Sequence, residues 1–224
     1  MIAKIAGRVR GLFAGNYPEN REDEQFHCNN RGDQIIAQGL PELTEVVRLG
    51  DSYQLNSTTG QAALTALPTT VAGLTLTNNE PANGRCYAID SFGSAEEVVD
   101  ATQADATALF AMLNKRTSAV PSAGTAESTF ISLCGRPAYS GSATAKRGAT
   151  VANDGWTPHG TPGAQMAAAA AGANFKVNEA LVRGLYLVVP GSSFSVQAVK
   201  AAAAAAAQQF FFIRWHEVQL IWRT

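Results

Sequence analysis

Leu185-Tyr-Leu-Val-Val-Pro-Gly-Ser-Ser-Phe-Ser-Val-Gln-Ala-Val199 is the segment that indicates the fold class most clearly. It consists of a hydrophobic run, a Pro-Gly turn and a run in which apolar and polar residues alternate. Seven alanines follow (Ala201–Ala207), and then Phe210-Phe-Phe-Ile-Arg-Trp-His-Glu-Val-Gln-Leu-Ile-Trp222. This order of elements, a strand, a tight turn, a strand, a spacer and a long strand, is typical of the last part of an antiparallel β-sandwich. The C-terminal segment therefore predicts an all-β fold.

Further strand patterns precede this segment. The predicted strands are 42–49, 52–56, 71–77, 85–92, 106–113 and 128–134. The first two are expected to pair as a hairpin about Gly50-Asp51, and the third and fourth across a turn rich in Asn, Pro and Gly. With the C-terminal strands they make about eight, the number found in a jelly roll. The predicted fold class is an antiparallel β-sandwich of jelly-roll-like type.

The sandwich domain is predicted to span 43–224 and to contain a long loop at 135–165, where Gly, Pro, Ser and Thr dominate. A loop of this length in a compact domain is usually an interaction surface. Residues 16–42 are polar and are predicted to form a linker. Residues 1–15 have a helical apolar period, with glycines at 7, 11 and 15 that make an isolated helix marginal. They predict a helical or extended docking arm, with a strap on its own domain or a membrane-surface anchor as alternatives.

Composition limits the classes of partner. Charged residues make up 16% of the chain and the formal net charge is −1, so clustered basic charge for nucleic acid is lacking. A surface with so little charge permits self-association. No apolar run is long enough to span a membrane, and no secretory signal follows Lys4, which predicts synthesis in the cytoplasm.

Catalytic and metal-binding patterns are weak. The three cysteines lie far apart without a CxxC pair, and the three histidines lack metal-ligand spacing. His216 and Glu217 are neighbours in a strand and should point to opposite faces, which disfavours an acid–base pair. No nucleophile elbow, phosphate loop or dinucleotide fingerprint occurs. We therefore expect no enzyme activity, no cofactor and no metal.

The final strand carries large apolar residues on both faces. Phe211, Ile213 and Trp215 share one face, and Phe210, Phe212 and Arg214 share the other. One face must line the core, and the other needs a cover. We predict a subunit interface, with a central strand covered by the chain's own loop as the alternative. The residues predicted to form subunit contacts are Ile2, Ile5, Val9, Leu12 and Phe13 in the arm and Phe211, Ile213 and Trp215 in the strand.

Three segments carry a resemblance to a known group. The stretch from Thr65 to Asp90, Val189-Pro-Gly-Ser-Ser-Phe-Ser-Val196 and Trp215-His-Glu-Val218 are similar to strand–turn–strand segments of small jelly-roll virion proteins of tailed bacteriophages. The resemblance covers residues 43–222 and rests on strand–turn patterns of low specificity. It implies a decoration, minor-capsid or tail-associated subunit without catalytic residues.

The sequence thus predicts a non-enzymatic homo-oligomeric building block of a virion, assembled in the host cytoplasm beside other virion structural proteins. One alternative is a carbohydrate- or receptor-binding module that uses Tyr139, Trp156 and His159 of the long loop. A filament subunit outside any virus is another, since self-association serves it equally. A hydrolase or cupin-like enzyme is disfavoured because histidines are few and convincing carboxylate pairs are lacking.

Overall fold

The computed structural model describes residues 47, 50–98, 107–135, 139, 141–159, 174–200 and 208–219. Almost all of the ordered structure in these ranges is β-strand. The strands are β1 (Ser52–Asn56), β2 (Gln61–Ala62), β3 (Val71–Asn78), β4 (Cys86–Val98), β5 (Thr107–Asn114), β6 (Thr125–Glu127), β7 (Phe130–Ser132), β8 (Ala143–Thr150), β9 (Thr157–His159), β10 (Asn174–Val188), β11 (Ser193–Lys200) and β12 (Gln208–Val218).

The strands form two antiparallel sheets. The first sheet has the order β10-β4-β12-β1-β7, with β2 paired to one end of β12. The second sheet has the order β6-β8-β3-β11-β5-β9. The all-β sandwich predicted from the sequence is confirmed.

The strand pairing defines a jelly roll. The pairs β1–β12, β3–β11, β4–β10 and β5–β9 are nested, because each pair encloses the next along the chain. A ribbon of four such pairs folded over itself gives two four-stranded sheets, here β1-β12-β4-β10 and β3-β11-β5-β9. The remaining strands β2, β6, β7 and β8 extend these sheets. The jelly-roll topology follows from the pairing alone.

Side chains point alternately inward and outward along each strand, and the inward ones form the core between the two sheets. On β12, Phe211, Ile213 and Trp215 are at most 1% exposed and belong to the main core cluster. Leu74 and Phe194 meet them from the second sheet. Burying side chains of this size supplies most of the free energy that favours folding.

Both predicted hairpins are wrong in their partners. The strands at 71–77 and 85–92 exist as β3 and β4, but they lie in different sheets, so the turn between them connects the two layers. β1 is paired on both sides, with β12 and β7, and its predicted partner at 42–49 lies outside the described residues except for Val47. A turn signal shows where the chain reverses, but it does not select the strand that pairs.

The predicted long loop at 135–165 is also wrong, because it contains β8 and β9. β8 lies between β3 and β6 in the second sheet. Its inward residues Ala143 and Ala145 are small, so the strand lacks the hydrophobic alternation that would reveal it. The strand predicted at 106–113 is confirmed as β5. The predicted arm at 1–15, the linker at 16–42 and the alanine run at 201–207 lie outside the described residues.

Candidate assembly surface

The face of β12 predicted to contact a neighbouring subunit lies in the protein's own core. Phe211, Ile213 and Trp215 are buried between the sheets, so this part of the predicted interface is wrong. The alternate residues Phe210 and Phe212 face outward and are only partly buried. The sequence pattern separated the two faces of β12 correctly, but the prediction placed the inward face at the subunit interface. The arm residues Ile2, Ile5, Val9, Leu12 and Phe13 lie outside the described residues.

Tyr139 belongs to an aromatic cluster at one end of the core. Its ring stacks on Phe130 at 4.9 Å and meets Tyr53 edge-on at 4.7 Å. Its hydroxyl donates to Glu217 Oε1 at 3.0 Å and accepts from the Ala143 N–H at 3.2 Å. Burial raises the pKa of Tyr139 well above the ordinary tyrosine value. The ring is held as a structural element and does not present a stacking face to a ligand.

Trp156 and His159 lie elsewhere in the fold. The Trp156 indole N–H donates to the Thr69 carbonyl at 2.9 Å, and its ring packs on a separate small cluster that includes Met112. His159 Nε2 is 2.8 Å from the Tyr186 hydroxyl. Tyr139, Trp156 and His159 each contact a different set of side chains, which does not support the single carbohydrate site suggested by the sequence.

His159 gives the fold a pH dependence. Its ring meets Phe92 edge-on at 5.0 Å, and burial lowers the pKa of His159 below 6.5. The unfolded chain takes up this proton near pH 6.5, before the folded protein does. We therefore expect the free energy of unfolding to fall as pH drops from 6.5 toward the lower folded pKa. Urea unfolding at several pH values should show this slope, and His159→Gln should flatten it. An unchanged slope in the variant would contradict the assignment.

His216 and Glu217 do point to opposite faces. His216 Nδ1 lies 2.8 Å from Asp90 Oδ1, whereas Glu217 Oε2 accepts from Arg85 Nη1 at 2.8 Å. Glu217 raises the pKa of Arg85 through that hydrogen bond. These contacts tie neighbouring strands together. Within the described residues, no group of three or more His, Cys, Asp or Glu side chains is placed to hold a metal ion. The same part of the chain has no helix long and apolar enough to cross a membrane.

The most unusual surface lies on β10, the edge strand of the first sheet. Val177, Leu181 and Leu185 on this strand are 63%, 66% and 73% exposed. Ala180 and Val182 point into the core, so the alternate positions face outward. β10 pairs with β4 on one side, and the described residues provide no strand on its other side. A long edge strand with exposed apolar residues favours association.

Charged residues alternate with these apolar ones. Glu179 lies between Val177 and Leu181, and Arg183 lies between Leu181 and Leu185. We call Val177, Glu179, Leu181, Arg183 and Leu185 the β10 surface. Its order is apolar, negative, apolar, positive, apolar. Reversing the direction of a second copy about Leu181 places Glu179 opposite Arg183 and Val177 opposite Leu185. The order of apolar and charged residues is therefore complementary to itself under a two-fold rotation, although the irregular backbone at Arg183 and Gly184 makes the two halves of the strand unequal in shape.

The neighbouring strands support the β10 surface. Arg214 Nη1 on β12 donates to Glu179 Oε1 at 2.7 Å, and the Arg214 guanidinium lies 5.2 Å from the centre of the Phe212 ring. Gly93 on β4 leaves room for this ring, since a Cβ there would overlap both Phe212 and the Asn178 carbonyl. Glu179 is thus fixed in an outward position.

Sequence reasoning missed the β10 surface because the strand is irregular. Arg183 and Gly184 have φ values of 48° and 80°, and the register with β4 shifts between Leu181 and Tyr186. Exposed and inward residues still alternate through this bulge, but the buried polar Asn178 and the glycine within the strand weaken the apolar pattern by which a strand is recognised. The signal available in the sequence was the alternation of large apolar and charged residues from 177 to 183.

Comparison with known proteins adds little. No protein-family model and no curated protein match the chain. Among solved structures, it is similar to a chain of the cryo-EM structure of Mud Crab Dicistrovirus at 10% identity and a TM-score of 0.16, covering 97% of this chain and 90% of that chain. A TM-score this low carries no argument, so the jelly-roll assignment rests on the strand order described above.

Proposed function

We propose that the protein is a non-enzymatic structural subunit that assembles with copies of itself through the β10 surface. The observation that carries the proposal is the row of three exposed apolar side chains on a long edge strand, with charges of opposite sign between them. Apolar rows of this kind mark interaction sites. The occupant that fits best is a second copy, because the charge order is complementary to itself under a two-fold rotation.

The energetics favour association. Full burial of a Val or Leu side chain stabilises by about 1.5–3 kcal/mol, and a symmetric contact buries Val177, Leu181 and Leu185 from both copies. Association also has an entropic cost, which this apolar gain must exceed. Opposed charges at Glu179 and Arg183 fix the register more than they add affinity.

We propose a virus particle as the setting, with a decoration, minor-capsid or tail-associated role in a tailed bacteriophage as its finer form. Jelly rolls are common in capsid subunits, and this support is an analogy of fold. In this setting the subunit is made in the host cytoplasm and contacts other virion proteins. The arm at residues 1–15 would supply a further contact, and only the symmetry of the assembly would separate this role from that of a non-viral filament.

Charge reversal tests the register of the contact. We expect Arg183→Glu to weaken self-association, because it places two glutamates opposite each other across the axis. Glu179→Arg should weaken it as well, and the double reversal should restore it. The measurement is the dissociation constant from sedimentation velocity of each purified variant.

Equal association by both single variants and the wild type would exclude this register. Glu179 pairs with Arg214 in its own chain and Arg183 also has an interaction there, so recovery in the double reversal is the decisive comparison. Circular dichroism should show the same β content in all variants.

A further inference from the structure

At one end of the sandwich, the inner faces of both sheets become polar. Glu96 on β4 and Lys200 on β11 form an ion pair across the sheets, and their side chains are 0% and 3% exposed. The Thr107 hydroxyl on β5 donates to Glu96 Oε2 at 3.0 Å. Glu96, Lys200 and Thr107 point inward like the core residues of the same strands. Phe92, Ala198 and Leu109 are those core residues, and each lies an even number of positions away along its strand. A buried charge pair of this kind is uncommon, because both groups lose hydration.

A carboxamide lies beside this pair without a hydrogen bond. Gln209 on β12 is fully buried, and neither its Nε2 nor its Oε1 has a partner among the described residues. Asn178 and the Ser94 hydroxyl, nearby on the same inner face, are also unpartnered. Each buried polar group left without a hydrogen bond costs about 1–3 kcal/mol. Packing does not explain why an amide should be retained here.

The register places Gln209 against the ion pair. Gln209 and Glu96 are directly paired across β12 and β4. Directly opposed residues have Cβ atoms about 4.5–5.5 Å apart, and both of these side chains point inward. Asn178 is paired with Ser94 instead, one inward position away, and its side chain is shorter. Gln209 is therefore the carboxamide nearest the site where Lys200 meets Glu96.

We propose that Lys200 and Gln209 form an isopeptide bond within the folded chain, with Glu96 as the proton carrier. A buried lysine, a buried carboxylate in contact with it and an adjacent orphan carboxamide are the groups that such a reaction requires. An amine removed from water is a competent nucleophile, and a positioned carboxyl group can carry protons for it. The reaction occurs once in each chain and makes the protein neither an enzyme nor a substrate of one.

The step balances without a further reactant. The Lys200 ammonium passes a proton to the Glu96 carboxylate, which gives a neutral amine and a carboxylic acid. Lys200 Nζ then attacks Gln209 Cδ, so a new C–N bond forms. Glu96 protonates Gln209 Nε2 and takes a proton from Lys200 Nζ. The bond from Cδ to Nε2 then breaks, and ammonia departs. Nothing is oxidised or reduced, and Thr107 holds the Glu96 carboxyl in place throughout.

The product would join the two sheets covalently where they are otherwise held by polar contacts. β11 lies in the second sheet and β12 in the first, so the bond would link the layers at this end. It would also remove the uncompensated Gln209 amide from the core. A cross-link of this kind suits a subunit that must withstand mechanical stress, but it does not depend on self-association.

Intact mass spectrometry of the full-length folded protein tests the proposal. Loss of ammonia lowers the mass by about 17 Da relative to the sequence. Trypsin cannot cleave after a modified Lys200, so residues 184–214 should remain one peptide that carries the deficit. Tandem spectra should show Lys200 joined to Gln209. Protein kept in denaturant from synthesis onward should retain the full mass, because only the fold brings the groups together.

Three variants keep the test falsifiable. Glu96→Gln and Gln209→Leu should each show the full mass, whereas the exposed neighbour Gln208→Ala should keep the deficit. Circular dichroism must show that each variant is folded. Folded wild-type protein with the full mass after prolonged incubation would overturn the proposal. A deficit retained in Gln209→Leu but lost in Asn178→Leu would overturn the choice of Gln209, and a deficit reversed by mild alkaline hydrolysis would indicate a succinimide instead.

Discussion

Trp215→Ala is expected to lower the free energy of unfolding by about 3–5 kcal/mol, the loss typical of removing a large buried aromatic ring. The Trp215 ring is 0% exposed and lies among Tyr53, Tyr87, Phe130 and Tyr139, with ring centres 5.8–6.1 Å away. These rings come from strands of the first sheet and from the segment after β7. Removing the indole leaves a cavity that they cannot fill. Guanidinium unfolding followed by circular dichroism measures the loss.

Trp215→Phe is the matched control. The indole N–H has no hydrogen-bond partner among the described residues, so phenylalanine keeps most of the packing and removes an unpaired donor. Its loss of stability should be well below that of Trp215→Ala. A Trp215→Ala variant as stable as the wild type would show that Trp215 does not lie in the core, and would support its original assignment to an interface.

Leu181→Arg is expected to abolish self-association while leaving the fold intact. Leu181 lies at the centre of the β10 surface, so a two-fold contact would bring two introduced arginines face to face. It is 66% exposed in the single chain, and its replacement removes little from the core. Size-exclusion chromatography with light scattering should show a monomer, and thermal unfolding of the monomer should be close to that of the wild-type chain at low concentration.

Leu67→Arg is the control that distinguishes loss of the β10 contact from a general effect of added positive charge on association. Leu67 is 71% exposed, against 66% for Leu181, but it lies between β2 and β3 and is not part of the β10 surface. The Leu67→Arg variant should associate like the wild type. If both variants dissociate, added positive charge rather than the β10 surface is responsible, and if neither does, the β10 surface is not the contact.

The sequence was sufficient for the strands with large apolar residues, but not for β8 and β9 or for the pairing of the strands. Alternation in 193–199 and 210–218 and the Pro190-Gly191 turn led directly to β11 and β12, because burial on one face requires a period of two. The nested pairing was not accessible in the same way. In a jelly roll almost every turn crosses between the sheets, so strands that look like hairpins, such as β3 and β4, pair with distant segments instead.

The candidate surface was harder to predict for two physical reasons. Alternation separates the two faces of β12, but both carry large apolar groups, and only the tertiary fold decides which face is inward. Phe211 is buried because Gly73 on the opposite sheet leaves space for its ring. On β10, a polar residue, Asn178, takes an inward position and Gly184 lies within the strand, so the sequence lacks a clear apolar alternation there. The buried group around Glu96 was invisible because its members come from four separate strands.

Sedimentation equilibrium of the wild-type protein over a wide concentration range tests the central claim most directly. Self-association through the β10 surface predicts a reversible dimer as the smallest assembled species, with a dissociation constant that rises when Leu181 is replaced by arginine. Larger species built from that dimer would also agree with the proposal. A wild-type chain that remains monomeric at the highest concentration would contradict it.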